Sequence, residues 1–244
     1  MLDIAAVSKN GDRDYNEDSI GYFQDKDNCV LVLADGLGGH GHGEIASSLC
    51  VKTSIDKFKE KKGKSDEEFF SDCFETAQSV LIEEQKRKNE LSKMKSTLVL
   101  CCISKDKCSW GHIGDSRLYF FRKGKIISQT LDHSVPQMLV NIGDIKPSEI
   151  RHHEDRNRLL RAMGVETDKL KYEVDCVGME LQSGDTVLLC SDGFWEWITE
   201  RKMCRYISSK KSAELILEKM TDYVLKKGKG KNMDNYSAVL AKIL

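Results

Sequence analysis

An α+β fold built on antiparallel sheets is what this chain predicts, and three observations predict it. Strand-like runs stand next to one another, helical patterns enter in blocks, and no Ser-rich or Pro-rich linker divides the 244 residues, whose only prolines are Pro136 and Pro147. Adjacent strands with short connections pair as hairpins, whereas a parallel sheet needs a helical crossover between each pair. The length is enough for one domain, 1–244, with a sizeable core.

The first strands are read at 3–7, 19–23 and 29–34. In the third, Val30-Leu31-Val32-Leu33-Ala34 is short, apolar throughout and β-branched at two positions, and the glycines of Asp35-Gly36-Leu37-Gly38-Gly39-His40 stop it. Asp35 thus sits at the mouth of a buried strand. Two helices follow at 43–59 and 66–88. In the second, Phe70, Cys73, Ala77, Val80 and Leu81 recur at three- and four-residue steps and form one buried stripe. Runs at 97–103, 108–113, 117–122 and 126–129 are close enough to be hairpin-connected, an antiparallel meander. From 135 to 158 both prolines, Gly143 and a charged run break the pattern, which predicts a flap-like surface excursion of short helices. Strands resume at 186. A helix at 212–225 with Ile216, Met220, Tyr223 and Val224 on one face precedes a last strand at 237–243.

Composition excludes several classes of function. A net charge of −1 gives no electrostatic case for nucleic acid. The basic stretch Lys226-Lys227-Gly228-Lys229-Gly230-Lys231 reads as a solvated loop. No apolar run approaches the roughly 20 residues that span a bilayer, and Asp3 interrupts the amino terminus before any signal sequence forms, so the expectation is a cytoplasmic protein away from membranes. Nine cysteines are an odd number, and Cys29, Cys101, Cys102 and Cys190 lie in apolar runs, which predicts buried reduced thiols. With no Cys-x-x-Cys pair, zinc is disfavoured.

The chemistry lies in the carboxylates. Strand-like runs end at Asp35-Gly36, Gly114-Asp115 and Asp192-Gly193, and Glu17, Asp18 and Asp234 stand in comparable loops. A carboxylate at a buried strand end is costly unless a cation or hydrogen bonds compensate it. A single such residue is ordinarily a turn or helix cap; so many oxygen ligands, with no cysteine or histidine set beside them, suit magnesium or manganese.

These residues resemble the metal-dependent serine/threonine protein phosphatases of type 2C in their compact bacterial form. Arg13-Asp14-Tyr15-Asn16-Glu17-Asp18 is similar to the family's Arg-x-x-Asn-x-Asp opening, and Ala34-Asp35-Gly36-Leu37-Gly38-Gly39-His40 matches its second signature. Gly114-Asp115-Ser116-Arg117, Asp132-His133-Ser134, Arg161-Ala162-Met163-Gly164, Ser191-Asp192-Gly193 and Asp234-Asn235-Tyr236-Ser237 follow in the family's order. The resemblance implies a four-layer α-β-β-α sandwich and hydrolysis of phosphoserine and phosphothreonine in proteins by a water activated between two Mn2+ or Mg2+ ions. It implies that Asp35 bridges both ions, that Asp192 and Asp234 complete one site, and that Glu17 and the Gly36 carbonyl serve the other. Asp18 would hold metal-bound water, Asp115 with Asp192 a third ion, and Arg13 the substrate phosphate, for which its planar fork is suited. Phosphorylated proteins and an opposing serine/threonine kinase are the implied partners, and a monomer the implied state.

Two positions depart from the family. Leu37 stands where eukaryotic members place a histidine, leaving His40 or a metal-bound water as proton donor, with the water favoured. His112 stands where asparagine is usual and is expected to be structural. His42, His152 and His153 are expected to be exposed or to lie outside the ligand set. No Gly-Lys-Ser/Thr closes the glycine stretch at P-loop spacing, so a P-loop is excluded, and no Gly-x-Ser-x-Gly elbow appears. The rival from another class is a catalytically silent relative that binds or senses; retention of the matched carboxylates and Arg13 favours the enzyme.

Overall fold

The computed structural model describes all residues except 27, 38–41, 62, 92, 167–169 and 210. In chain order the elements are β1 (Leu2–Lys9), β2 (Asp18–Gln24), β3 (Asn28–Leu37), α1 (His42–Lys59), α2 (Asp66–Lys88), β4 (Lys95–Ser96), β5 (Leu98–Ser104), β6 (Lys107–Ile113), β7 (Arg117–Arg122) and β8 (Lys125–Gln129). After them come α3 (Val135–Asn141), a 3₁₀ turn (Pro147–His152), β9 (Glu173–Glu180), β10 (Thr186–Cys190), α4 (Asp192–Trp195), α5 (Glu200–Ile207), α6 (Ala213–Gly228) and β11 (Tyr236–Ile243). One sheet has the order β1-β11-β10-β7-β8; the other is β2-β3-β5-β6-β9, with β4 beside the end of β3. The pairings are antiparallel.

The continuous apolar runs have a simple cause: both faces of each sheet are covered. Because side chains alternate along a strand, Cys29, Leu31 and Leu33 of β3 face the other sheet while Val30, Val32 and Ala34 face the helices. β10 divides likewise, Val187 and Leu189 inward, Leu188 and Cys190 outward. Three apolar layers result. α1 and α2 cover the second sheet with Cys50, Phe70, Phe74 and Leu81. α4, α5 and α6 cover the first with Trp195, Met203, Ile216 and Met220. Between the sheets, Trp110 stacks on Phe120 with centroids 5.7 Å apart. The expected α-β-β-α sandwich is what forms.

Helix boundaries follow local chemistry. Ser65 and Glu68 close a reciprocal capping box at α2, and Ser212 caps α6 by accepting the Leu215 amide. α6 runs on to Gly228, so Lys226 and Lys227 occupy its last turn, where cations oppose the helix dipole, and only 229–231 of the basic stretch is loop.

Three expectations need correction. The meander is two hairpins in different sheets: β5 and β6 pair in one, β7 and β8 in the other, and the chain crosses between them at Gly114 (φ 104°) and Asp115. β3 continues through Asp35 and Gly36 to Leu37, where it pairs with β4. A Cβ on Gly36 would lie 2.1 Å from the Gly43 carbonyl oxygen, so glycine here admits the start of α1 rather than ending the strand. β9 and α5 gave no sequence signal, the first because it is bulged against β6 and half-exposed, the second because it is short and half of its residues are charged.

Candidate metal centre

Both sheets deliver acids to one end. Asp18 and Asp35 are directly opposite each other across β2 and β3 in the second sheet. Asp192 opens α4 just after β10, and Asp234 precedes β11, both at the ends of strands of the first sheet. Asp115 sits on the crossing between the sheets. An open cavity of about 460 Å³ is lined by Arg13, Glu17, Asp35, Gly36, Asp115, Asp192 and Asp234, together with Asp14, Tyr15, Leu37, Asn157, Leu159 and Asn235. Among the described residues no three His, Cys, Asp or Glu side chains close into a ready-made cage; the acids face one another across the space.

Hydrogen bonds explain how each acid is aimed. Asn235 spends its whole side chain on the loop before β2: Oδ1 accepts the Glu17 amide at 2.8 Å, and Nδ2 donates to the Asn10 and Tyr15 carbonyls at 2.9 and 2.8 Å. Ser191 donates to Asp18 Oδ2 at 2.8 Å and accepts the Ser237 amide, joining the two sheets. Thr97 Oγ1 accepts the Asp35 amide at 2.9 Å and meets the Ser116 hydroxyl at 2.7 Å. The Trp195 indole donates to the Asp115 carbonyl at 3.0 Å. Gly193 is needed because a Cβ there would lie 2.0 Å from the Asn235 carbonyl oxygen.

Among the described lining residues six carboxylates face a single cation, Arg13. Burial pushes Asp18 up to about 7 despite hydrogen bonds from Ser237 and Ser191. Burial, then the charges of Glu196 and Asp234, push Asp192 up to about 7. Asp35 is held well above the usual carboxylate range by burial and then by Asp18, Asp192 and Asp115. Asp115 rises for the same reasons, with Arg117 opposing. Glu17 Oε1 and Asp18 Oδ1 are buried with no hydrogen-bond partner among the described residues. Oxygen donors left unmet in a cluster of mutually repelling carboxylates fit hard divalent cations.

Arg13 is at the rim, its Nε and Nη2 donating to Asp234 Oδ1 and Oδ2 at 3.0 and 2.9 Å, and both side chains about two-fifths exposed. Nη1 has no partner among the described residues. His40 lies outside the described residues. Leu37 is on the cavity wall, and the described lining residues include no histidine. His42 opens α1 with Nδ1 buried and without a hydrogen-bond partner among the described residues, so it is less exposed than expected.

His112 is structural in a specific way. Fully buried, its Nδ1 meets Asp175 Oδ2 at 2.8 Å and its Nε2 the Leu131 carbonyl at 2.7 Å, two acceptors that only an imidazolium satisfies together. Burial opposes that charge, but Asp175 outweighs it and raises the pKa. His133 stacks on it at 4.4 Å and accepts the Gly114 amide, one residue from Asp115. Burial and the neighbouring His112 charge lower His133 to about 4. Beside them Arg117 grips Asp132 through two 2.7 Å bonds and lies 3.5 Å from the Trp195 ring.

Sequence reasoning quoted Asn235, Ser191, His133 and Arg117 within motifs but gave them no work, and it missed Thr97, Asn157 and Leu159. The side-chain bonds of Asn235 span 218 to 225 positions, which no local pattern signals.

Comparison with known proteins agrees with this geometry. The family profile of protein phosphatase 2C matches residues 8–235. The serine/threonine phosphatase stp of Listeria monocytogenes serovar 1/2a is 33% identical over 233 residues, covering 93% of this chain and 90% of that protein. Among solved structures, the catalytic domain of the serine/threonine protein phosphatase PstP in complex with two manganese ions superposes with a TM-score of 0.83 at 27% identity, covering 99% of this chain and 97% of that one. Stp1 of Staphylococcus aureus, a serine/threonine phosphatase, gives 0.88 at 26% identity over 100% and 96%. Fold, ordered motifs and carboxylate cavity together place the chain in the protein phosphatase 2C family.

Proposed function

We propose that the carboxylate cavity is a two-metal centre that hydrolyses phosphoserine and phosphothreonine in proteins. The observation that carries this is the convergence of Glu17, Asp35, Asp192 and Asp234 on one cavity with buried, unmet carboxylate oxygens beside it. When two divalent ions are bound, Glu17 and the Gly36 carbonyl would hold one and Asp192 with Asp234 the other, and Asp35 would serve both. Asp18 orients water, and Asp115 with Asp192 serves a third ion. Two bound divalent cations supply what a phosphomonoester dianion needs, acidifying water toward neutral pH and offsetting charge that builds on the phosphoryl oxygens.

Arg13 holds the substrate phosphate at the rim while keeping Asp234 aimed inward, since its Nη1 edge is not engaged by Asp234. With Leu37 on the wall, the proton for the departing serine or threonine oxygen is assigned to water. We take 1–244 as one catalytic unit with 135–158 as its flap, acting as a monomer on phosphoproteins and opposing a serine/threonine kinase. Nine free thiols, seven of them buried, suit the reducing cytoplasm. Among the described residues no helix is long and apolar enough to cross a membrane. Manganese and magnesium both match the oxygen donors. A cavity that retains all these acids and Arg13 gives no support to a binding-only role.

The test is hydrolysis of an aryl phosphate and of a phosphothreonine peptide with Mn2+, with Mg2+ and after chelation. Activity is expected to vanish on chelation, to return with one or both ions, and to fall about a hundredfold or more in Asp35→Asn. Turnover that survives chelation overturns the two-metal reading. Arg13→Ala is expected to raise KM for the peptide, and an unchanged KM removes its phosphate role.

A further inference from the structure

A second groove of about 380 Å³ opens from the catalytic cavity and shares Arg13, Asn157, Asp192 and Asp234 with it. One wall is the flap, through Arg151, His152 and Arg156; the other is the loop between α6 and β11, through Lys231 and Asn232. The arginines are already committed. Arg156 binds Glu196 at 3.0 Å, and Arg151 binds Glu200 and the Trp195 carbonyl, which anchors the flap to the body.

Lys231 and His152 are different. Both are exposed, and neither has a carboxylate partner among the described residues. The Lys231 ammonium lies 5.3 Å from the centre of the Trp197 ring, an apolar base beneath a free charge. Gly230 and Asn232, both at positive φ, fold the loop around Lys231. The basic stretch that sequence alone assigns to solvent thus delivers one lysine to a groove continuous with the reaction site.

We propose that this groove selects protein substrates carrying an anionic group, a carboxylate or a second phosphate, a short way along the chain from the phosphorylated serine or threonine, with the Lys231 ammonium and a ring N–H of His152 as the donors that receive it. The proposal rests on the phosphatase reading above. It assigns Lys231 to specificity and leaves bond cleavage to the cavity. The favoured occupant is a substrate peptide because the groove leads out of the catalytic cavity and shares four wall residues with it.

The experiment measures kcat/KM of the whole Mn2+-loaded chain on three phosphothreonine peptides that differ in flanking residues: glutamates, one phosphoserine, or lysines. An aryl phosphate too small to reach the groove is the control. Wild type is expected to prefer the glutamate or phosphoserine peptide over the lysine peptide by about three- to fivefold per contact, and to lose that preference as salt rises. Lys231→Glu and His152→Glu should each weaken or invert the preference with aryl phosphate turnover unchanged, and Lys231→Arg should keep it. Preference for the phosphoserine peptide alone assigns the groove to a second phosphate; preference for both assigns it to anions generally. Equal rates on the three peptides, or a preference that survives Lys231→Glu, overturn the proposal. A wild type that hydrolyses none of the esters with Mn2+ overturns the phosphatase reading itself.

Discussion

Asn235, nearly buried at the cavity wall, fixes the loop that carries Glu17 through bonds to Asn10, Tyr15 and Glu17 itself. Its replacement by alanine strands one amide and two carbonyls. Stability is expected to fall by about 1–3 kcal/mol in urea unfolding, and metal affinity by about 10- to 100-fold in a titration. The stacked histidines give a pH prediction with two signs. His112 has a raised folded pKa, so its stabilisation is complete below about pH 6.5, the unfolded value, and fades as pH climbs through the folded one. His133 is lowered to about 4, so its contribution is complete above about pH 6.5 and is lost as pH falls toward 4. Ring-proton titration by NMR should find one histidine protonating above 6.5 and one near 4. His112→Asn should flatten the alkaline side of the stability profile, and His133→Asn the acid side. Arg117→Met leaves Asp132 buried and uncompensated, and unfolding measurements should show a loss of about 3–5 kcal/mol.

Elements explain what was readable in advance. α2 spans the expected 66–88 because its apolar stripe is a local and strong signal; its cap, Ser65, is seen only in the structure. The carboxylates were legible because they lie in glycine- or asparagine-containing loops within an ordered set of motifs. The split of the four middle strands was not, since β6 and β7 both read as strands separated by a short loop, and their facing across the inter-sheet layer, with Trp110 stacked on Phe120, is a long-range packing outcome. Gly36 was visible as a glycine, but its reason was hidden: α1, β3 and the Glu17 carbonyl converge there, with Glu17 O 2.6 Å from where a Cβ would be. Gly36→Ala is therefore expected to push α1 away from β3, lowering the thermal midpoint and abolishing metal-dependent turnover. A fully active, equally stable Gly36→Ala protein contradicts that account.

At the scale of the molecule, clustered acids make the fold responsive to cations. Ions that bind the folded state alone stabilise it by mass action, about 2.7 kcal/mol at one hundred times their Kd. Added Mn2+ or Mg2+ should therefore raise the unfolding temperature, chelation should reverse it, and Asp35→Asn should blunt both, as differential scanning fluorimetry would report. The layer between the sheets has a role in this that its apolar composition conceals. Asp18 and Asp35 belong to one sheet, Asp192 and Asp234 to the other, so the thickness of that layer is the ruler against which the two halves of the metal centre are measured. A change such as Leu31→Val or Val187→Ala, inside that apolar layer and at no ligand position, alters the gap an ion must bridge, and a family member can thus retune its preference between cations of different radius without replacing a single carboxylate.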